Sequence, residues 1–200
     1  MGNRLVVFAS GTPQDGGSGF EKLVEAARKG SLSADITAVV SNNENGGVRE
    51  KADRLKIPFV HFSAPWTKER YQEILQGIEF DFIALSGWLK LVSGLDPRIT
   101  FNIHPGPLPD FGGPGMYGHH VHEAVLEYGA RVSGCTVHFV DNQYDHGPII
   151  LQKVVPVLED DTPDTLAARV FQAECEAYPE ALRLLASGKV TVDGRRVKVR

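Results

Sequence analysis

Over the first hundred residues, short apolar runs alternate with helix-like segments, and this alternation limits the possible folds more than any other feature of the chain. The runs occupy 5–9, 36–41, 59–62, 82–85 and 100–104. Segments 19–29, 48–55 and 68–78 lie between the first four and carry apolar residues at helical spacing. Strands joined by helical crossovers run parallel, and a parallel sheet is covered by helices on both faces. Its strands therefore read as continuous apolar runs, as Leu5-Val6-Val7-Phe8-Ala9 does. The pattern predicts an α/β fold: a doubly wound, mostly parallel Rossmann-type sheet flanked by helices.

The pattern changes after a proline- and glycine-rich stretch at 105–118. A helix is expected over 119–128, followed by consecutive strands at 135–140 and 149–157, which predicts antiparallel pairing toward the C-terminus. Thr162-Pro163 combines a capping residue with a proline suited to the first helical position. That helix is expected to run toward Ala186, with a break or bend at Pro179. Runs 190–192 and 197–199, joined across Asp193-Gly194, predict a closing hairpin. With neither repeat nor linker, residues 1–200 read as a single domain.

The chain is 42% hydrophobic and 23% charged, the balance of a globular protein. A net charge of -4 argues against nucleic acid or an acidic membrane as partner. Cys135 and Cys175 form neither a disulfide framework nor a metal-ligand spacing, which favours a reducing compartment. The apolar stretch near the N-terminus is too short for a signal peptide or a membrane span, so a cytoplasmic protein is expected.

Chemistry concentrates in Asn102-Ile103-His104-Pro105. Residues two apart on a strand share a face, so an amide and an imidazole project together where the following prolines open a loop. A donor amide beside a titratable ring suits a carbonyl that must be polarised and protonated, which makes acyl transfer the first reading. Asp145, ahead of a Gly-Pro turn, is the candidate carboxylate partner, expected to raise the His104 pKa. Taken singly, His104 also reads as a backbone-bonded strand end and Asp145 as a turn former. The loop 10–19 is rich in glycine and leads into a helix, with Ser18 and Glu21 at capping-box spacing. It reads either as a phosphate site or as a flexible connection, and it matches neither a Walker motif nor a dinucleotide fingerprint.

Several of these pieces occur together and in order. Asn102-Ile103-His104-Pro105 with Leu108-Pro109 is followed by Gly115-Met116-Tyr117-Gly118, then by the run from Ser133 to Asp141, then by Asp145-His146-Gly147-Pro148-Ile149-Ile150-Leu151-Gln152. In this combination the chain resembles the folate-dependent formyltransferase family. The resemblance implies formyl transfer from 10-formyltetrahydrofolate, as cosubstrate, to the amine of glycinamide ribonucleotide in purine biosynthesis. It implies Asn102, His104 and Asp145 as the catalytic set, acting by direct amine attack through a tetrahedral intermediate. It implies Gly17, Ser18 and Gly19 at the ribonucleotide phosphate and Glu174 on the substrate. For the folate it implies Leu89, Lys90, Leu91, Val92, Asp141, Asn142, Tyr144 and His146. The family usually carries asparagine where Gly19 stands.

Other readings remain beside these. Glu174 also reads as a solvated helix charge, and Leu89, Leu91 and Val92 as simple core. Lys68 reads as a surface lysine or as a partner for the folate tail. His119, His120 and His122 lack a convincing separate metal-ligand set, and no metal is expected. Segment 111–115 is a lid or a connector. Rival functions are formyl transfer to an amino sugar or methionyl-tRNA, formyltetrahydrofolate hydrolysis, and nonenzymatic binding of folate or nucleotide. A monomer or a homodimer is expected.

Overall fold

In the computed structural model, which describes residues 2–200, the chain forms two compact units that divide within one strand, between Asn102 and Ile103. The first unit comprises β1 (Asn3–Phe8), α1 (Ser18–Arg28), β2 (Ala34–Ser41), α2 (Gly47–Leu55), β3 (Phe59–His61), α3 (Lys68–Ile74), β4 (Phe82–Ser86) and the start of β5 (Thr100–His104). Its strand order is β3-β2-β1-β4-β5, with β1 parallel to both β2 and β4. Leu5, Val6, Val7 and Phe8 are all fully buried, so β1 is covered on both faces, as its unbroken apolar run predicts. The order reverses between β1 and β4. At such a point the loops leaving the strands' carboxyl ends part and leave room for a ligand. Those two loops are the glycine-rich segment after β1 and residues 87–92 after β4.

Phe8, Phe62, Tyr71 and Trp88 pack as a buried aromatic cluster beneath the second of these loops. Trp88 Nε1 donates to the Tyr71 hydroxyl at 2.9 Å, and that hydroxyl donates to the Leu91 carbonyl at 3.1 Å. An indole buried this way fixes the backbone on either side of it. Leu89 and Leu91 consequently face outward, 44% and 42% exposed, while Val92 is buried. The core reading therefore holds for Val92 and fails for the leucines.

Two helix ends differ from expectation. Helix α1 takes Gly17 as its N-cap, at φ 78, and has no side-chain cap. Glu21 pairs with Arg54 at 2.5 Å, so the Ser18–Glu21 capping box does not form. Helix α3 stops at Ile74 where 68–78 is predicted, because Gly77 takes a left-handed φ of 81 and Ile78 N–H closes a tight turn on Leu75.

The second unit continues from the end of β5 with α4 (His119–Tyr128), β6 (Val132–Phe139), β7 (Ile149–Pro156), α5 (Pro163–Ala186), β8 (Val190–Asp193) and β9 (Arg196–Val199). Its strand order is β5-β6-β7, and β6 and β7 pair antiparallel. The seven strands β1 to β7 are thus mostly parallel, with β8 and β9 a separate antiparallel hairpin turning at Gly194-Arg195. Helix α5 lies against β6, β7 and α4. It opens on a reciprocal cap between Thr162 and Thr165, with Pro163 in the first turn. It also runs unbroken through Pro179, so of the expected break or bend the break does not occur. A mid-helix proline costs about 3 kcal/mol. Buried Ala177, Tyr178, Ala181, Leu182 and Leu185 flank it, and burial at roughly 1.5–3 kcal/mol per large apolar side chain outweighs that cost. No described helix is long and apolar enough to cross a membrane.

Candidate active site

Asn102 and His104 lie on one face of β5, the amide half-buried and the imidazole 3% exposed. His104 Nε2 lies 2.6 Å from the Phe111 carbonyl. A carbonyl only accepts, so Nε2 carries the proton and donates. This leaves Nδ1 facing Asp145 Oδ1 at 3.5 Å, an ion-pair separation too long for a tight hydrogen bond. Asp145 Oδ2 accepts the Gly113 N–H at 2.9 Å, and Asp145 holds a left-handed φ of 51. Aspartate tolerates that conformation better than most residues. Because Phe111 and Gly113 bond the ring and the carboxylate respectively, this stretch of segment 111–115 is tied to the pair.

The structure adds a residue that the sequence reading missed. His138 Nδ1 donates to the Phe139 carbonyl at 2.7 Å, and its Nε2 stands 3.6 Å from the same Asp145 oxygen that faces His104. One carboxylate oxygen thus lies between two imidazoles, each turned by a bond from its far nitrogen to a backbone carbonyl. A signal was present in the sequence: Thr136 and His138 are polar residues two apart on β6, the same spacing as Asn102 and His104. Thr136 uses that face structurally, donating to the Gly106 carbonyl at 2.8 Å and accepting the Leu108 N–H at 3.2 Å.

Burial dominates the electrostatics of His104. It drives the imidazole pKa down and outweighs the upward pull of Asp145 and the Phe111 bond, so the expected rise does not occur. Burial pushes the Asp145 carboxyl up, but the neighbouring His138 and His104 imidazoles and the Gly113 amide together hold it below its ordinary value. Asp145 is the ionised member of the cluster and His104 the neutral one that gains a proton when negative charge develops nearby.

In the first unit, the glycine-rich segment folds back on itself. Thr12 N–H donates to the Asp15 carbonyl at 2.7 Å, Asp15 N–H donates to the Thr12 hydroxyl at 2.9 Å, and Gly11 bridges Gly16. Gly17, Ser18 and Gly19 then form the first turn of α1. Its earliest intrahelical bond runs from Glu21 N–H to the Gly17 carbonyl, so the amides of Ser18, Gly19 and Phe20 have no partner within the helix. An uncapped helix start of this kind favours an anion.

The family model described as formyl transferase matches residues 3–182. The chain belongs to the formyl transferase family. It is 42% identical over 199 residues to the chloroplastic phosphoribosylglycinamide formyltransferase of Vigna unguiculata, a match covering 94% of this chain and 62% of that protein. The Arabidopsis thaliana protein of the same name is 38% identical, with 94% and 66% covered. The chain therefore spans less than two thirds of either relative. Among solved structures, glycinamide ribonucleotide transformylase 1 from Symbiobacterium toebii aligns with a TM-score of 0.87 at 34% identity, covering 98% of this chain and 93% of that one.

The remaining formyl transferase positions named from sequence fall in several places. Leu89 and Leu91 project from the β4 loop, Val92 is buried beneath it, and Lys90 lies over the Trp66 ring at 4.6 Å. Asp141, Asn142, Tyr144 and His146 lie on the β6–β7 loop that also carries Asp145. There the His146 Nδ1–H donates to Asp141 at 2.6 Å, and Tyr144 is exposed. Glu174 on α5 is half-buried, and burial pushes its carboxyl up to about 7. Burial likewise pushes the Cys135 thiol up to about 12, which leaves it without nucleophilic thiolate.

The three histidines of α4 go separate ways. His119 pairs with Asp164 at 2.5 Å and His120 with Glu123 at 3.2 Å. His122 is buried with Nδ1 unbonded, and burial together with neighbouring His119 and His104 pushes it down to about 4. Among the described residues, no group of three His, Cys, Asp or Glu is placed to hold a metal.

Proposed function

We propose that this chain transfers the formyl group of 10-formyltetrahydrofolate to the amine of glycinamide ribonucleotide. The observation that carries the reading is the buried His104–Asp145 pair on a formyl transferase family chain, oriented by the Phe111 carbonyl and the Gly113 amide. The amine attacks the formyl carbon, and negative charge grows on the formyl oxygen. The Asn102 amide would donate to that oxygen. His104 Nδ1 is not committed to a tight bond, and a proton there would be shared between Asp145 and the new oxyanion. Removing one such donor typically costs about 3–4 kcal/mol of barrier. Asp145 would balance the imidazolium and assist movement of a proton from the attacking amine to the departing folate nitrogen.

The substrate phosphate is assigned to Gly17, Ser18 and Gly19, at the helix start whose open amides are those of Ser18, Gly19 and Phe20, and the rest of the ribonucleotide to Glu174. The folate is assigned to Leu89, Lys90, Leu91 and Val92 with Asp141, Asn142, Tyr144 and His146. Outward leucines supply the apolar surface and loop backbone the polar edge that such a ligand needs. We treat residues 1–200 as one functional domain, supported by a single family model reaching from 3 to 182. A cytoplasmic location and the absence of nucleic-acid and membrane partners rest on composition and charge.

Purified protein mixed with 10-formyltetrahydrofolate tests the reading. Formyl transfer should require glycinamide ribonucleotide. Folate turnover indifferent to the ribonucleotide would make the chain a hydrolase, and ligand binding without turnover would make it a binding module.

A further inference from the structure

We propose that Ser86 and Lys51 complete the anion site at the start of α1 and determine how tightly the substrate's phosphate is held. This rests on the ribonucleotide reading above and names side chains for a site otherwise made of backbone. The argument starts at Gly19, the second residue of α1. A side chain there would displace Ser86, because a methyl group built on Gly19 would overlap the Ser86 hydroxyl oxygen. Ser86, at the end of β4, is 7% exposed and points into the first turn of α1. Its hydroxyl makes no hydrogen bond to another described group, and its oxygen is not one of the sealed-off unbonded atoms of the interior. A hydroxyl whose donor is uncommitted, beside three open helix amides, is placed to donate to the same anion.

Lys51, on α2, supplies the cation. Its stem lies against the loop, with Cδ 3.5 Å from where a Gly17 side chain would begin. Only 18% of its side chain is exposed, and Asp15 is its one ion partner among the described residues, at 3.8 Å. The Asp15 carboxylate is 82% exposed and already accepts the Gly16 N–H at 2.6 Å. An ammonium held this loosely beside an uncapped helix start is free to turn to a phosphate dianion. An anion bound there meets a hydroxyl, a cation and backbone amides together, the combination that phosphate esters select.

Calorimetric titration with ribose 5-phosphate and steady-state kinetics on the full chain test this. Ser86→Ala should weaken ribose 5-phosphate binding, and raise the KM for glycinamide ribonucleotide, by about tenfold. Lys51→Met should do so by about fivefold, with an effect that shrinks as salt is added. The KM for 10-formyltetrahydrofolate should move less than about twofold in both. Gly19→Ala, which displaces the Ser86 hydroxyl, should weaken binding as Ser86→Ala does. Gly19→Ala/Ser86→Ala should recover the melting temperature but not the affinity. Wild-type affinity in both single variants, Ser86→Ala and Lys51→Met, would overturn the proposal. If ribose 5-phosphate binds as expected but no formyl is transferred, the anion site stands and the functional reading falls. If formyl is transferred while the variants bind like wild type, the reverse holds.

Discussion

The His104–Asp145 cluster and the start of α1 solve different problems with different parts of the chain. In the cluster every role falls to a side chain held by backbone: the Phe111 and Phe139 carbonyls orient two imidazoles, and the Gly113 amide orients the carboxylate. At the start of α1 the roles are reversed, because the groups on offer are backbone amides and the side chains at 17 and 19 are absent. The contrast implies a division of labour, with side chains carrying the chemistry and backbone carrying recognition. Substitution should therefore damage rate in the first region and affinity in the second.

His104→Ala gives the largest expected effect. It should lower kcat by about a hundred- to a thousandfold at saturating substrates while the protein stays folded, as read by circular dichroism. A smaller effect follows from the second imidazole. His138→Gln removes the imidazole that helps hold the Asp145 carboxyl down, so that carboxyl should protonate at higher pH. Activity should then be lost earlier as pH falls, and kcat should drop by about tenfold. An unshifted acid limb would show that His138 only packs.

Glu174 lies between these extremes and titrates where it is easily followed. Its folded carboxyl is raised to about 7, so below that pH it is neutral and above it a carboxylate. Affinity for the ribonucleotide should rise with pH through about 7 if Glu174 accepts from the substrate. The folded state also binds the Glu174 proton more tightly than the unfolded chain. Stability should therefore fall as pH rises from the ordinary carboxylate range to about 7, then level off. Glu174→Gln should flatten both trends, measured by KM and by urea melts across pH. The smallest effect belongs to Ser18→Ala. Ser18 is exposed and caps nothing, so its loss should change the ribonucleotide KM by less than about twofold. A large change there would break the backbone half of the comparison.

The same division explains what the sequence made legible. Strand β1 was readable because a strand buried on both faces must be apolar throughout, and Asn102 with His104 because two-residue spacing places them together. The link from His104 to Asp145 was not readable from spacing, since they are separated by the whole of α4 and β6; only the resemblance implied it. Phe111 and Gly113 were invisible because they act through a carbonyl and an amide that every residue possesses. His138 carried a spacing signal with Thr136, but nothing in the spacing tied it to Asp145. The Ser18–Glu21 cap was misread because Gly17, able to take φ 78, starts the helix and frees Glu21 to pair with Arg54. For Leu89 and Leu91 the alternative reading as core failed because hydrophobicity says nothing about direction, which the buried Trp88 beside them decides.

Steady-state kinetics of Asp145→Asn test the central claim most directly. Asparagine is close to isosteric, tolerates the left-handed φ of 51 and keeps an oxygen for the Gly113 amide, so geometry survives while the charge is lost. The account predicts a fall in kcat of about a hundredfold or more with the ribonucleotide KM within about threefold of wild type. A preserved kcat with a greatly raised KM would contradict it, because the cluster would then bind the substrate rather than carry out the transfer.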